Sequence, residues 1–526
     1  MPAVSKKGVS PELLAESLSR RPILLIGDVG VGKTTFTRNL TKVEAALLFD
    51  DVITLYIDLG SQATLTRDLR EFMPEEIVRQ LREDYDVDVN DRNFVRGVYD
   101  LDLDRFGKSI YADLRDIDPA AFKMQEINFL LQKVSSKEEH LKNALHHISK
   151  GRRKQIVIFI DNADQRDDET QQQAFLASQE MAQRWPATVF VALRPETFHR
   201  SMRSGALSGY HPKAFTIAPP RIDEAIEKRL LFAIKLCNGE IPIPTLSFTR
   251  VNLTTLQTLI NVFIYSLAHN PDLPEFLDNI SGGNVRSALD LVKGFFGSGH
   301  VDTQKIFDIY QNEGDYQIPL HEFLRAIIYG DAIYYDPSRS PVVNLFDISS
   351  ADPREHFLLP LLIGFLVSPD SPPVDGFVET AQVFERLQTL GFTPKQIEAV
   401  VVRACKTKLT EATARQSPEV GGTMPHSLRA TPAALYHNNR LCHQFTYMDA
   451  MVIDTPILDA GVRASITDSS YLASRLERAD QFRDYLDNQW LTLKDFAVAF
   501  DWSVASNKLK REVQRIRTRT TRNESR

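Results

Sequence analysis

The 526-residue chain is longer than one hydrophobic core usually organises, and its 43% apolar and 25% charged residues exclude a disordered protein; about three folded domains are expected. Sixty-two Lys and Arg against 69 Asp and Glu leave a net charge of −7, which excludes a protein that coats nucleic acid with its whole surface. The charge is uneven, because residues 507–526 hold eight Lys or Arg against Glu512 and Glu524, making this tail +6 and the remainder −13.

In chain order, the apolar runs Ile23–Ile26, Val52–Ile57, Ile156–Ile160, Val189–Leu193 and Ala214–Ile217 read as buried parallel strands, with helix-like sequence between most of them. They predict a five-stranded α/β core over residues 1–220. Residues 61–154 are too long for a crossover and read as a helical insertion. Within it, Asp84-Tyr85-Asp86-Val87-Asp88 imitates the start of a calcium loop. Val89 stands where the turn glycine belongs, however, and Val95 where the bidentate Glu belongs, so a solvated edge is expected. After Pro219-Pro220 the sequence turns helical over 221–296, continues as a helical connector over 297–351, and changes again in 352–459. There, helix-length segments at 376–390 and 394–409 precede a short strand-like run, Leu428–Tyr436. The segment 460–526 ends in the basic tail, either an amphipathic helix with Leu509, Val513 and Ile516 on one face or a disordered end.

Cys237, Cys405 and Cys442 form no CxxC pair or Cys/His cluster, so neither a disulfide framework nor a zinc site is indicated. The most apolar run, Phe357–Val367, is too short for a bilayer and contains Pro360. A cytoplasmic protein without membrane contact is expected.

Chemistry enters at Gly27-Asp28-Val29-Gly30-Val31-Gly32-Lys33-Thr34, a complete G-x-x-x-x-G-K-[ST] phosphate loop placed after a strand and before a helix that begins near Thr35. Backbone amides of such a loop cradle phosphates, Lys33 brings charge to the β and γ oxygens, and the Thr34 hydroxyl can ligate Mg2+. The third strand ends in Asp161, a carboxylate delivered beside that loop as a second magnesium ligand. Asn162 follows it, where an acid that orients the attacking water is common. Asn cannot accept a proton, so either Asp164 takes that role or hydrolysis of ATP is slow. Arg194 ends the fourth strand at the ligand-binding edge of a parallel sheet, and Arg200 and Arg203 are candidates for a finger to a neighbouring subunit. In Ser281-Gly282-Gly283-Asn284-Val285-Arg286, Asn284 suits a helix cap. Arg286 is a cation in a first turn, where the helix dipole favours an anion, so an external phosphate is its expected partner.

This order of motifs, over roughly residues 20–296, resembles AAA+ ATPases of the origin-recognition type and the related STAND signalling ATPases. The resemblance implies that Arg194 occupies the sensor-1 place, that Ser-Gly-Gly-Asn-x-Arg is the sensor-2 motif and that 221–296 is a helical lid. Residues 352–459 look like a winged-helix unit, with Lys395, Arg403, Lys406, Lys408 and Arg429 available to phosphates and Ile397, Val400, Val401 and Ala404 facing a core. The expectation is an ATP-operated, oligomeric switch that controls assembly with a protein partner or effector; architecture alone links it to bacterial antiphage defence. The alternative is a DNA-binding ATPase of initiator or loader type, touching DNA through the winged-helix region and basic tail.

Overall fold

The computed structural model describes residues 21–49, 51–60, 68–151, 153–163, 168–194, 198, 213–241, 253–368, 376–412, 418–466, 469–493 and 500–524. The chain divides into two compact units at Pro219–Pro220.

The first unit is built on strands β1 (Ile23–Ile26), β2 (Val52–Asp58), β3 (Gln155–Asp161), β4 (Ala187–Leu193) and β5 (Lys213–Thr216). They form one parallel sheet in the order β2-β3-β4-β1-β5. Position in the sheet explains composition. β3 lies between two strands under helices on both faces, so from Ile156 to Asp161 every residue is buried, whereas β2 alternates and the edge strand β5 stays half-exposed. The helices Leu69–Tyr85 and Lys137–Gly151 add Met73, Ile77, Leu81, Leu141, Leu145 and Ile148 to the apolar cluster that covers the sheet. Both ends of the expected insertion therefore belong to the sheet's own core. The middle holds a separate small cluster of Val95, Tyr99 and Leu130. Asp91 there caps the helix Arg92–Val98, accepting from the amides of Asn93 and Phe94.

The second unit is mainly helical and shares one apolar cluster from Ile222 to Val513. Its first part includes the helices Ile222–Cys237, Leu253–His269, Asp272–Ser281 and Val285–Gly297. Further on, the helix Leu358–Val367 is followed by β6 (Val378–Glu379), the helices Thr380–Thr389 and Pro394–Lys406, and a pair of strands, β7 (Thr410–Ala412) and β8 (Ser427–Ala430). These three strands make an antiparallel sheet in the order β6-β8-β7. The strand expected over Leu428–Tyr436 is shorter than its apolar run. The Thr431 hydroxyl accepts from the Ala434 amide, and Pro432 pre-sets the first turn of a helix, Pro432–Asn439. The basic tail is helical over Trp502–Glu524, with Leu509 and Val513 buried and Ile516 packed beside them. Trp502 anchors it, its ring against Phe346 and Phe357 and its indole N–H donating to Asp487 at 2.7 Å. No described helix is long and apolar enough to cross a membrane.

Candidate nucleotide site

The phosphate loop leaves β1 at the carboxyl edge of the sheet, where the Gly27 amide donates to the Leu193 carbonyl at 3.1 Å. Any Cβ on Gly27 would lie 2.9 Å from Val31 Cγ2, so the closing of the loop on itself requires glycine there. Gly32, at φ 92°, turns the chain into the helix Lys33–Asn39, a left-handed conformation that side chains with a Cβ resist. The Lys33 ammonium lies over the loop, donating to Gly27 O at 2.7 Å and Asp28 O at 3.1 Å. The Asp28 carboxylate accepts from the Val29 amide at 2.6 Å. Thr35 follows on the same helix.

The loop and β3 meet where the Thr34 hydroxyl donates to Asp161 Oδ2. Asp161 is 3% exposed, and the same oxygen accepts from the Tyr56 hydroxyl on β2. Burial, reinforced by that hydrogen bond, pushes the Tyr56 phenol well above the ordinary tyrosine range, so it stays a proton donor. Asp161 Oδ1 accepts from the Asn162 amide at 2.8 Å. Asn162 itself sits at φ 58°, and its side-chain amide donates to Asp58 Oδ1 at 2.7 Å. Asp58 ends β2 directly opposite Asp161 in the strand register and also accepts from the Gly60 amide at 2.9 Å. The edge thus places a hydroxyl, a buried carboxylate and a second acid side by side. A hydroxyl and one carboxylate are hard oxygen donors, the set that Mg2+ takes when substrate phosphates complete its shell.

Residues 17–184 match the family model described as AAA domain. Residues 17–184 of the amino-terminal unit are an AAA domain. No curated protein matches the sequence. Similar solved structures include Cdc6p from Pyrobaculum aerophilum, at 12% identity and TM-score 0.30, covering 87% of this chain and 98% of that one. Drosophila ORC bound to DNA matches at 11% identity and TM-score 0.28, over 81% of this chain and 93% of that one. The Aeropyrum pernix ORC1 protein in complex with DNA matches at 13% identity and TM-score 0.25, over 84% and 91%.

Of the other expected site residues, Arg194 directly follows β4 in the first unit and is half-buried. Asp164, Arg200 and Arg203 lie outside the described residues. Arg286 belongs to the second unit, exposed in the first turn of the helix Val285–Gly297, whose cap is the Asn284 side chain accepting from the amides of Arg286 and Ser287 at 3.0 and 3.1 Å. Tyr56 and Asp58 escaped the sequence reading. Ile57-Asp58 repeats the Ile160-Asp161 pattern of an apolar strand ending in an acid, and that repetition was the available signal.

In the second unit the helix Pro394–Lys406 buries Ile397, Val400, Val401 and Ala404. Two of the expected phosphate-binding cations are used internally. Arg403 donates to Asp347 through its carbonyl at 2.8 Å and its carboxylate at 2.9 Å, while Arg429 pairs with Glu411 and lies over the Phe377 ring. Lys395, Lys406 and Lys408 are exposed and form no ion pair among the described residues.

Proposed function

We propose that the chain is an ATP-binding, slowly hydrolysing AAA+ ATPase of initiator or loader type that contacts duplex DNA through its second unit. ATP is held with its phosphates on residues 27–34, Lys33 turning from the loop carbonyls to the β and γ oxygens. Mg2+, held by Thr34 and Asp161, would neutralise the charge that develops on the transferred phosphoryl group. Tyr56 fixes the Asp161 carboxylate by donating to it. Asp58, held by Asn162, is the acid proposed to orient the attacking water. Its second hydrogen-bond donor and the missing acid at position 162 both favour slow turnover. Arg194 and, from the lid at 221–296, Arg286 are the cations proposed to read the γ-phosphate, and a homo-oligomer is the assembly in which the nucleotide state acts.

The observation that carries the DNA reading is the segment Leu358–Ala430. It runs helix, strand, helix, helix and strand pair, with the first strand joined to the last, which is the order of a winged helix, and its second inter-strand helix and exit present three exposed lysines that form no ion pair among the described residues. The helix Trp502–Glu524 adds a second exposed basic face, since its apolar side is spent on the core.

A second reading, a nucleotide switch that licenses assembly with a protein partner, is favoured by Asn162, whose side chain is committed to Asp58. Nothing among the described residues favours a defence role. Duplex binding measured over a salt series separates the two readings. On the DNA reading, replacing Lys395, Lys406 and Lys408 together by Ala weakens binding and lowers the slope of log affinity against log salt by about 0.9 per lost phosphate contact. Absence of duplex binding at low salt would leave the switch.

A further inference from the structure

The helix Trp502–Glu524 has two faces of opposite character. Trp502, Ala505, Leu509 and Val513 are buried, with Ile516 packed beside them, and they hold one side of the helix on the core of the second unit. Lys508, Arg511, Arg515, Arg519 and Arg522 recur at intervals of three, four, four and three residues, and all five are exposed. At 3.6 residues per turn they fall within an arc of about 80°, roughly 120° around the helix from the buried stripe, and form a row about 21 Å long.

None of the five forms an ion pair among the described residues. Arg517 and Lys510 lie off the row, and Arg517 pairs with Asp480 at 2.7 Å. The neighbouring acid, Glu512, turns its carboxylate inward, where Oε2 accepts from the Phe445 amide at 3.0 Å. Burial pushes that carboxyl above the ordinary range, against the opposing pull of the Phe445 amide and Arg515. Like charges three and four residues apart repel on a helix, so this spacing works against the helix that carries it. The dipole at the carboxyl end favours Arg522, in the last turn, but not the cations before it. Folding alone disfavours such a row, and an external polyanion would relieve it.

A lipid surface is a poor match. A helix lying in a bilayer needs an open apolar face, and here that face is spent on the core; Val504 is the one large apolar side chain exposed among the helix's described residues. B-form DNA carries a phosphate every 3.4 Å of axis on each strand, so a length of about 21 Å brings about six phosphates of one strand against five cations. Four of the five are arginines, whose paired N–H donors match phosphate oxygens. We propose, resting on the DNA reading of the second unit, that this row lies along the phosphate backbone of duplex DNA and holds it irrespective of sequence, as a contact separate from Lys395, Lys406 and Lys408.

The test measures the affinity of the full chain for two duplexes of unrelated sequence over a salt series. Lys508→Gln, Arg511→Gln, Arg515→Gln, Arg519→Gln and Arg522→Gln together keep good helix formers on the exposed face. They weaken binding to both duplexes alike and lower the slope of log affinity against log salt by about 0.9 for each cation on a phosphate, about 4.5 for the whole row. Matched single changes locate the effect: Arg515→Gln lowers the slope by about 0.9, whereas Lys510→Gln, the same loss of charge off the row, leaves it unchanged. Thermal melting no lower than that of the wild type shows that the helix stays folded. Duplex binding that the five changes leave intact, weakening confined to one sequence, or equal effects of Arg515→Gln and Lys510→Gln would overturn the proposal while the DNA reading stands on Lys395, Lys406 and Lys408. Sedimentation with phosphatidylserine vesicles covers the other polyanionic surface; vesicle binding lost in the five-residue variant, with duplex binding unchanged, would assign the row to lipid and overturn the proposal. No duplex binding by the wild type at low salt would remove the proposal and the DNA reading together.

Discussion

His437 ties the stability of the second unit to pH. Its ring is fully buried on the helix Pro432–Asn439, where Nε2 accepts from the Val343 amide at 2.9 Å and Nδ1 faces the Ala433 carbonyl at 2.6 Å. That arrangement uses one ring nitrogen as acceptor and one as donor, so only the neutral imidazole satisfies it; a second proton would confront the Val343 N–H. Burial depresses the imidazole from 6.5 to about 4. A depressed folded value means that the unfolded chain binds the extra proton first. The stabilisation is therefore complete above about pH 6.5 and lost as pH falls towards 4. The two values give a loss of about 2 kcal/mol between pH 7.5 and pH 5, saturating near 3 kcal/mol at lower pH. Urea unfolding at the two pH values, followed by Trp490 and Trp502 fluorescence with Trp185→Phe silencing the third indole, measures it. In His437→Asn the drop between those pH values shrinks by about 2 kcal/mol. An equal drop in variant and wild type would refute the reasoning.

Three substitutions address the nucleotide site. Asp161→Ala abolishes Mg2+-dependent phosphate release while ATP still binds, and an unaffected rate would remove Asp161 from the metal site. Asp58→Asn preserves the acceptor for Asn162 but removes the charge, so turnover falls about a hundredfold at similar ATP affinity; unchanged turnover returns Asp58 to a strand-end cap. Arg286→Ala narrows the difference between ATP and ADP affinity several-fold, and equal discrimination would make Arg286 an ordinary helix-surface charge.

The five core strands were legible because a parallel sheet buried on both faces demands continuous apolar runs, and Ile156–Ile160 meets that demand most fully at its centre. The phosphate loop was legible for a different reason: backbone closure at Gly27 and Gly32 leaves few residue choices. Length misled the reading of 61–154, since both flanking helices pack on the sheet and only the middle stands apart; an amphipathic helix carries no label saying which surface it covers. Leu428–Tyr436 misled because apolar content does not distinguish a strand from a helix, whereas Thr431-Pro432 marked the switch. The pairing of Tyr56 and Asp58 with Asp161 and Asn162 depends on which strand lies next to β3, and the sequence order of strands does not state their order in the sheet.

The central claim, a nucleotide bound at residues 27–34 that governs contact of the second unit with DNA, is tested most directly by duplex affinity with ATP, with ADP and without nucleotide, in wild type and Lys33→Ala. The account predicts that ATP and ADP give different duplex affinities in the wild type and that Lys33→Ala removes the difference. Duplex affinity independent of nucleotide in the wild type, or a difference that survives Lys33→Ala, would contradict it.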